Sequence, residues 1–169
     1  SLLLGLLGCS GNKKYTADEV RSFFTSYYGT GRYPVYSFSL QKQDENWLFS
    51  ASCYVQSKEG QYTSFDSFPI PAEDAEGFLE IIREEEEISR LSKYRPLSIL
   101  HAADAPTNSS VMTFSDGNSI EKETAFCDKA LRYLYSLAEK HYETAENVEI
   151  TSVFVSCSSM DHSSSYSYT

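Results

Sequence analysis

From Val35 the chain alternates apolar and polar side chains: Tyr36, Phe38 and Leu40 stand between Ser37, Ser39 and Gln41, and after Asp44-Glu45-Asn46 the stretch Trp47 to Gln56 alternates again. A period of two sends successive side chains to opposite faces of a strand, so this stretch predicts a hairpin. Ser57-Lys58-Glu59-Gly60 reads as the next turn, and Gln61 to Ile70 as a third strand ending at Pro71. Upstream the rhythm differs. Thr16-Ala17-Asp18-Glu19 has the Thr-x-x-Glu spacing of a capping box, and Val20, Phe23, Phe24, Tyr27 and Tyr28 follow at helical spacing. The expectation there is a short N-terminal helix ended by Gly29 and Gly31.

Two longer segments carry a helical stripe. In the first, about Ala72 to Leu91, the stripe is Ala75, Phe78, Ile81, Ile82 and Ile88, and acidic residues at its start suit the positive end of a helix. Projection puts Glu85 near the middle of that stripe, with Glu84, Glu86 and Glu87 to the sides. Glu85 is then either a buried carboxylate suited to acid–base chemistry or, where the helix bends, a residue at the rim of the core. The second segment, about Glu121 to Tyr142, gathers Phe126, Ala130, Leu131, Leu134, Leu137 and Ala138 on one face, with Cys127 and His141 beside them. His141, near the helix C-terminus, is also placed where a charged imidazole is favoured. Between the two, Leu97 to His101 reads as a short strand, and Val111 to Phe114 as a strand entering the tight turn Ser115-Asp116-Gly117-Asn118. That makes Asp116 a turn residue and not a catalytic one. Val148 to Cys157 is β-branched and apolar on both sides, which predicts a central strand. The expected fold class is α+β: an antiparallel sheet of five to seven strands with two long helices packed on it and a short N-terminal helix.

Composition narrows the functions such a domain can have. With 169 residues and 41% of them hydrophobic, the chain suffices for one domain with a core of ordinary size. Its 24 acidic residues against 14 basic ones leave a net charge of -10, a field that repels phosphate backbones and anionic lipid. Nucleic-acid binding and charge-driven membrane attachment are therefore not expected. Cys9, Cys53, Cys127 and Cys157 show no CxxC and no zinc spacing, so neither a metal site nor another cofactor is expected. Cys53 and Cys157 fall in predicted strands, where they either pair or remain buried free thiols.

No motif names a reaction. His101, His141 and His162 lie in a strand end, a helix end and a tail, outside any HExxH or GxSxG pattern. A hydrolase-like enzyme using Glu85 or His101, the latter near Asp104 and a serine, is one alternative. The other is a binding module. Of thirteen tyrosines, Tyr15, Tyr27, Tyr28, Tyr33, Tyr36, Tyr54 and Tyr62 gather with Trp47 in the first helix and sheet, and offer broad amphipathic surfaces suited to a carbohydrate or a protein partner. Trp47, Tyr36 and Tyr54 are the candidate ligand contacts, against the plainer role of filling a sheet that favours aromatic residues.

The first residues bear on location. SLLLGLLGCSGNKK begins with an apolar run much shorter than the roughly 20 residues a membrane span needs. Leu6-Leu7-Gly8-Cys9 resembles the lipobox of bacterial lipoproteins, with an apolar residue three before the cysteine and a small one directly before it. The resemblance implies that Cys9 takes the lipid and that residues 1–8 are the remnant of a signal peptide. Residues 9–15 are then a polar tether, 16–157 a single α+β domain and 158–169 a Ser/Tyr-rich flexible tail. It also implies a cell-envelope protein anchored through its N-terminal lipid on the extracytoplasmic side of a bacterial membrane, similar in build to other small lipoproteins. Without the resemblance, the same stretch is an apolar strand ending in an ordinary cysteine.

Overall fold

A computed structural model describes residues 13–29, 34–55, 61–96, 106–145, 153–158 and 163–168. Four consecutive strands, β1 (Val20–Tyr28), β2 (Tyr36–Gln43), β3 (Asn46–Val55) and β4 (Gln61–Ile70), are followed by helices α1 (Ala72–Glu84) and α2 (Glu87–Lys93). Strands β5 (Thr107–Phe114) and β6 (Ser119–Lys122), helix α3 (Asp128–Ala145) and a hairpin of β7 (Val153–Ser158) and β8 (Ser163–Tyr168) complete the order. The first six strands form one antiparallel sheet in the order β4-β3-β2-β1-β5-β6. The fold is α+β, with six strands where five to seven were expected.

Helices α1 and α3 lie against one face of this sheet. Phe23, Phe38, Phe49 and Met112 point toward them, and Ala75, Phe78 and Ile82 of α1 and Ala130, Leu134 and Ala138 of α3 close the core. The rings interlock edge to face: Phe23 meets Phe78 at 4.9 Å between centroids and Phe38 meets Tyr135 at 4.9 Å. Each such ring, taken fully out of water, contributes about 1.5–3 kcal/mol. The two helices run antiparallel. Lys140 pairs with Asp74 at 2.7 Å at one end of their seam, and Lys129 pairs with Glu84 at the other. At Gly77 the helices approach closely enough that a Cβ would collide with the Tyr133 hydroxyl, which donates to the Asp74 carbonyl at 2.9 Å.

The expected N-terminal helix is a single 3-10 turn, Ala17–Glu19, and the segment after it is a strand. The capping pair itself forms, Glu19 accepting from the Thr16 N–H at 2.9 Å. What imitated a helix is a β-bulge. Val20 faces Phe114 and Ser22 faces Thr113, so Arg21 is an extra residue that lets Val20 and Phe23 enter the core three positions apart. A second bulge, where Asp66 and Ser67 oppose Ser50, turns Phe65 and Phe68 to the same face.

The single helix expected over Ala72–Leu91 is broken. Glu86 adopts φ 47°, a left-handed conformation, and separates α1 from α2. The segment from Glu121 is helical only from Asp128, because Ser119–Lys122 folds back on β5 through the turn at Asp116 and Gly117 (φ 82°). The strand expected to be central pairs, in its described part, with β8 in a separate two-stranded sheet. β8 lies within the segment read as a tail. Residues 1–12, with Cys9 and the lipobox, and the 97–101 strand with His101 and Asp104 lie outside the described residues, as does His162.

Candidate functional site on the open sheet face

The sheet's second face, turned away from the helices, is written by the alternate residues of the same strands. Following the register across it gives an unusual row: Ser109 of β5 faces Ser26 of β1, which faces Ser37 of β2, then Ser52 of β3 and Ser64 of β4. Five strands thus contribute five serines to one line. With strands about 4.8 Å apart, the line is about 19 Å long. The Ser52 and Ser64 hydroxyls are in hydrogen-bond contact at 2.8 Å.

Two residues along each strand, at the next position on the same face, the character changes. Tyr28 lies beside Thr107 in β1, and Tyr54 lies opposite Tyr62 across β3 and β4. Extending the β2 register by one residue sets Val35 between Tyr28 and Tyr54. Tyr54 is 48% exposed, Tyr28 44% and Val35 37%, and the Tyr54 and Tyr62 rings meet edge to face at 5.1 Å. On the other side of the serine line stands Phe24, 37% exposed, next to Val111. Small side chains flanked by large ones make a trough: Ser26 on its floor is buried, while Tyr28 and Phe24, its neighbours along β1, stand out of it. Charge stays at the margins: Glu121 lies beside Val111, and Arg21 and Asp66 sit at the two bulges, in a chain that carries 24 acidic residues.

The structure divides the three aromatic residues expected to contact a ligand. Tyr54 stands on this face, whereas Trp47 and Tyr36 are buried on the helix-covered one. Tyr36 stacks on Phe38 and donates its hydroxyl to Asn108 Oδ1 at 3.4 Å, and Trp47 lies 6.3 Å from Phe23. Tyr28, Phe24 and Tyr62 join Tyr54 instead. Their signal in the sequence was their parity with the serines, which the helical reading of residues 20–28 concealed.

Of the two candidate catalytic residues, Glu85 and His101, only Glu85 lies among the described residues. Glu85 sits at the rim, where the helix breaks, half-exposed and 3.7 Å from Lys129. The buried carboxylate is its neighbour Glu87, fully sequestered, which accepts two bonds from Arg90 (2.7 and 2.6 Å) and one from the Cys127 N–H (3.0 Å). Arg90 in turn donates to the Ala125 carbonyl at 2.7 Å. These partners are structural, and together they bolt α2 to the entry of α3. His141 stacks on Phe68, and burial pushes its pKa down, so the imidazole is held neutral and not charged as its helix-end position suggested. Burial also pushes the Cys53 thiol up to about 11 and raises that of Cys127, leaving neither poised as a nucleophile. Cys53 and Cys127 are free thiols.

A groove of about 440 Å³ between the 3-10 turn and α1–α2 is lined by Tyr15, Asp18, Ile82, Arg83, Glu86 and Ile88. Its one cation is saturated. Arg83 donates to Asp18 (2.7 Å), Glu76 (2.8 Å) and Glu80 (2.7 Å), so its charge is already matched by carboxylates. Among the described residues no three His, Cys, Asp or Glu side chains gather to hold a metal, and no helix is long and apolar enough to cross a membrane. No protein-family model, curated protein or solved structure matches this chain.

Proposed function

We propose that the protein is a binding module, held by lipid on Cys9 at the extracytoplasmic side of a bacterial membrane, that presents the serine and tyrosine face of its sheet to a ligand or partner. The observation that carries the binding part is the exposed Tyr28, Val35 and Tyr54, continued by half-buried Tyr62, beside the serine line. Leaving rings in water costs hydrophobic free energy that a surface without a task has no reason to spend. Among the described residues, the raised thiols of Cys53 and Cys127 and the rim position of Glu85 favour binding over catalysis. The anchor rests on the lipobox-like Leu6-Leu7-Gly8-Cys9 and the polar residues after it.

Two measurements test the two halves. The full-length precursor and its Cys9→Ala form, expressed in a bacterial host, are compared by intact mass and detergent-phase partitioning; an acyl mass and partitioning that vanish together in Cys9→Ala are expected. A photo-crosslinking residue at position 54, placed in intact cells, is expected to yield adducts that the same probe at exposed Glu45, in the β2–β3 turn, does not. An unlipidated, soluble wild type overturns the anchor, and equal silence at both positions overturns the binding face.

A further inference from the structure

The occupant of this face can be named by its chemistry. We infer that the serine trough binds an uncharged polysaccharide chain, laid across the strands with its sugar rings against Tyr54, Tyr62 and Tyr28. The inference rests on the binding reading above and gives it a ligand class.

Three observations select this class. First, the serine line and the tyrosine row hold no charged side chain within a protein of net charge -10, so a polyanion is repelled by the chain as a whole and a polycation meets carboxylates only at the margins, Glu121 and Asp66. An uncharged partner escapes both penalties. Second, the surface combines hydroxyls with rings. A pyranose has polar edges bearing hydroxyl donors and acceptors and an apolar face of C–H groups. Serine hydroxyls, each one donor and two acceptors, match the edges, and a tyrosine ring matches the apolar face while its own hydroxyl adds a polar contact. Third, the composition is wrong for a protein interface. Interface cores favour aromatic residues, Met and Arg and are depleted in Ser, yet here an unbroken line of serines crosses five strands.

Geometry adds a direction. The serine line and the tyrosine row run parallel to each other and perpendicular to the strands, and each strand adds one step of about 4.8 Å, about the length of one sugar ring. A linear chain lying along the trough therefore has the serine line on one side and the row Thr107, Tyr28, Val35, Tyr54 and Tyr62 on the other. Such a surface gains affinity with chain length, because short oligosaccharides fill only part of it.

The test is isothermal titration of the full chain with cellohexaose, chitohexaose, maltohexaose and a linear mannan, with heparin as the charged control. At least one uncharged glycan is expected to bind, with affinity rising from trisaccharide to hexasaccharide and little change between 50 mM and 500 mM salt. Tyr54→Ser is expected to weaken that binding at least tenfold, and Ser37→Lys, which fills the trough and adds charge, to abolish it. Both sites are on the surface layer, and circular dichroism checks that each variant folds; Tyr28→Ser serves as a second exposed-ring variant. Absence of binding to every uncharged glycan, preference for heparin, or binding unaltered by the three substitutions each overturns the inference. Crosslinking from position 54 to a protein would leave the binding face standing and remove the polysaccharide. Failure of both experiments would remove the face itself.

Discussion

The two faces of the six-stranded sheet are built by the same strands at alternate positions, and they could hardly differ more. Across the helix-covered side one row runs Met112, Phe23, Leu40, Phe49 and Phe68; on the other side one row is five serines. The first side is dictated by burial, since nothing smaller fills the space beneath α1 and α3. The second is under no such pressure. Serine is a poor strand former, less suited to a pleated surface than Thr or Val. A line of it together with exposed rings departs from what folding alone asks, and that departure marks the open face as the place to look for function.

The sharpest way to break this contrast is a matched pair of substitutions. Phe49→Ala should lose about 3–5 kcal/mol, the cost of an emptied aromatic site in a packed core, whereas Tyr54→Ser should change stability by about 0.5 kcal/mol or less. Urea-unfolding midpoints read both, and similar losses would mean that the open face is structural after all. Glu87→Ala should rank next, at about 3 kcal/mol, because Arg90 and the Cys127 N–H lose their shared acceptor at a sequestered position. Glu87→Gln, which keeps an acceptor, should retain part of that.

A smaller effect tests how tightly the helix layer is set. Gly77→Ala should destabilise by about 1–2 kcal/mol through the clash with Tyr133, although helix propensity alone favours Ala by about 1 kcal/mol. In a Tyr133→Phe background, with the hydroxyl gone, the penalty should shrink, and a thermal-unfolding double-mutant cycle measures by how much. The least effect belongs to His141. Its pKa is lowered in the folded state, so its contribution is present above the unfolded value of about 6.5 and is lost as pH falls through that value toward the folded pKa. Unfolding curves of wild type and His141→Gln should therefore diverge between about pH 7 and pH 5, the wild type losing more of its stability on acidification.

The alternating hairpin from Tyr36 to Val55 and the apolar stripe of α3 were legible because each keeps one period throughout. The first strand was not. Its bulge at Arg21 spaces Val20 and Phe23 by three, and Phe24, Tyr27 and Tyr28 load aromatic residues onto both faces, so a strand carried the spacing of a helix. The helix break at Glu86 was hidden for a similar reason: the projection assumed one continuous rotation, and a single left-handed residue resets it, sending Glu85 to the rim and Glu87 into the core. Tyr54 was a candidate from the start. The serine line was out of reach, since its five members are drawn from five strands and only the register aligns them.

The bulge opposite Ser50 also protects the sheet's long margin. β4 is ten residues long and, among the described strands, pairs on one side only, which makes it a template onto which another chain can add. Pro69 offers no N–H to such an arrival, and the extra residue at Asp66 and Ser67 bends the strand where a straight partner would have to follow. Straightening the bulge and replacing Pro69 with Val would leave a straight edge with an unbroken run of backbone N–H groups. The sheet would then have the means to grow from molecule to molecule, a route to fibres.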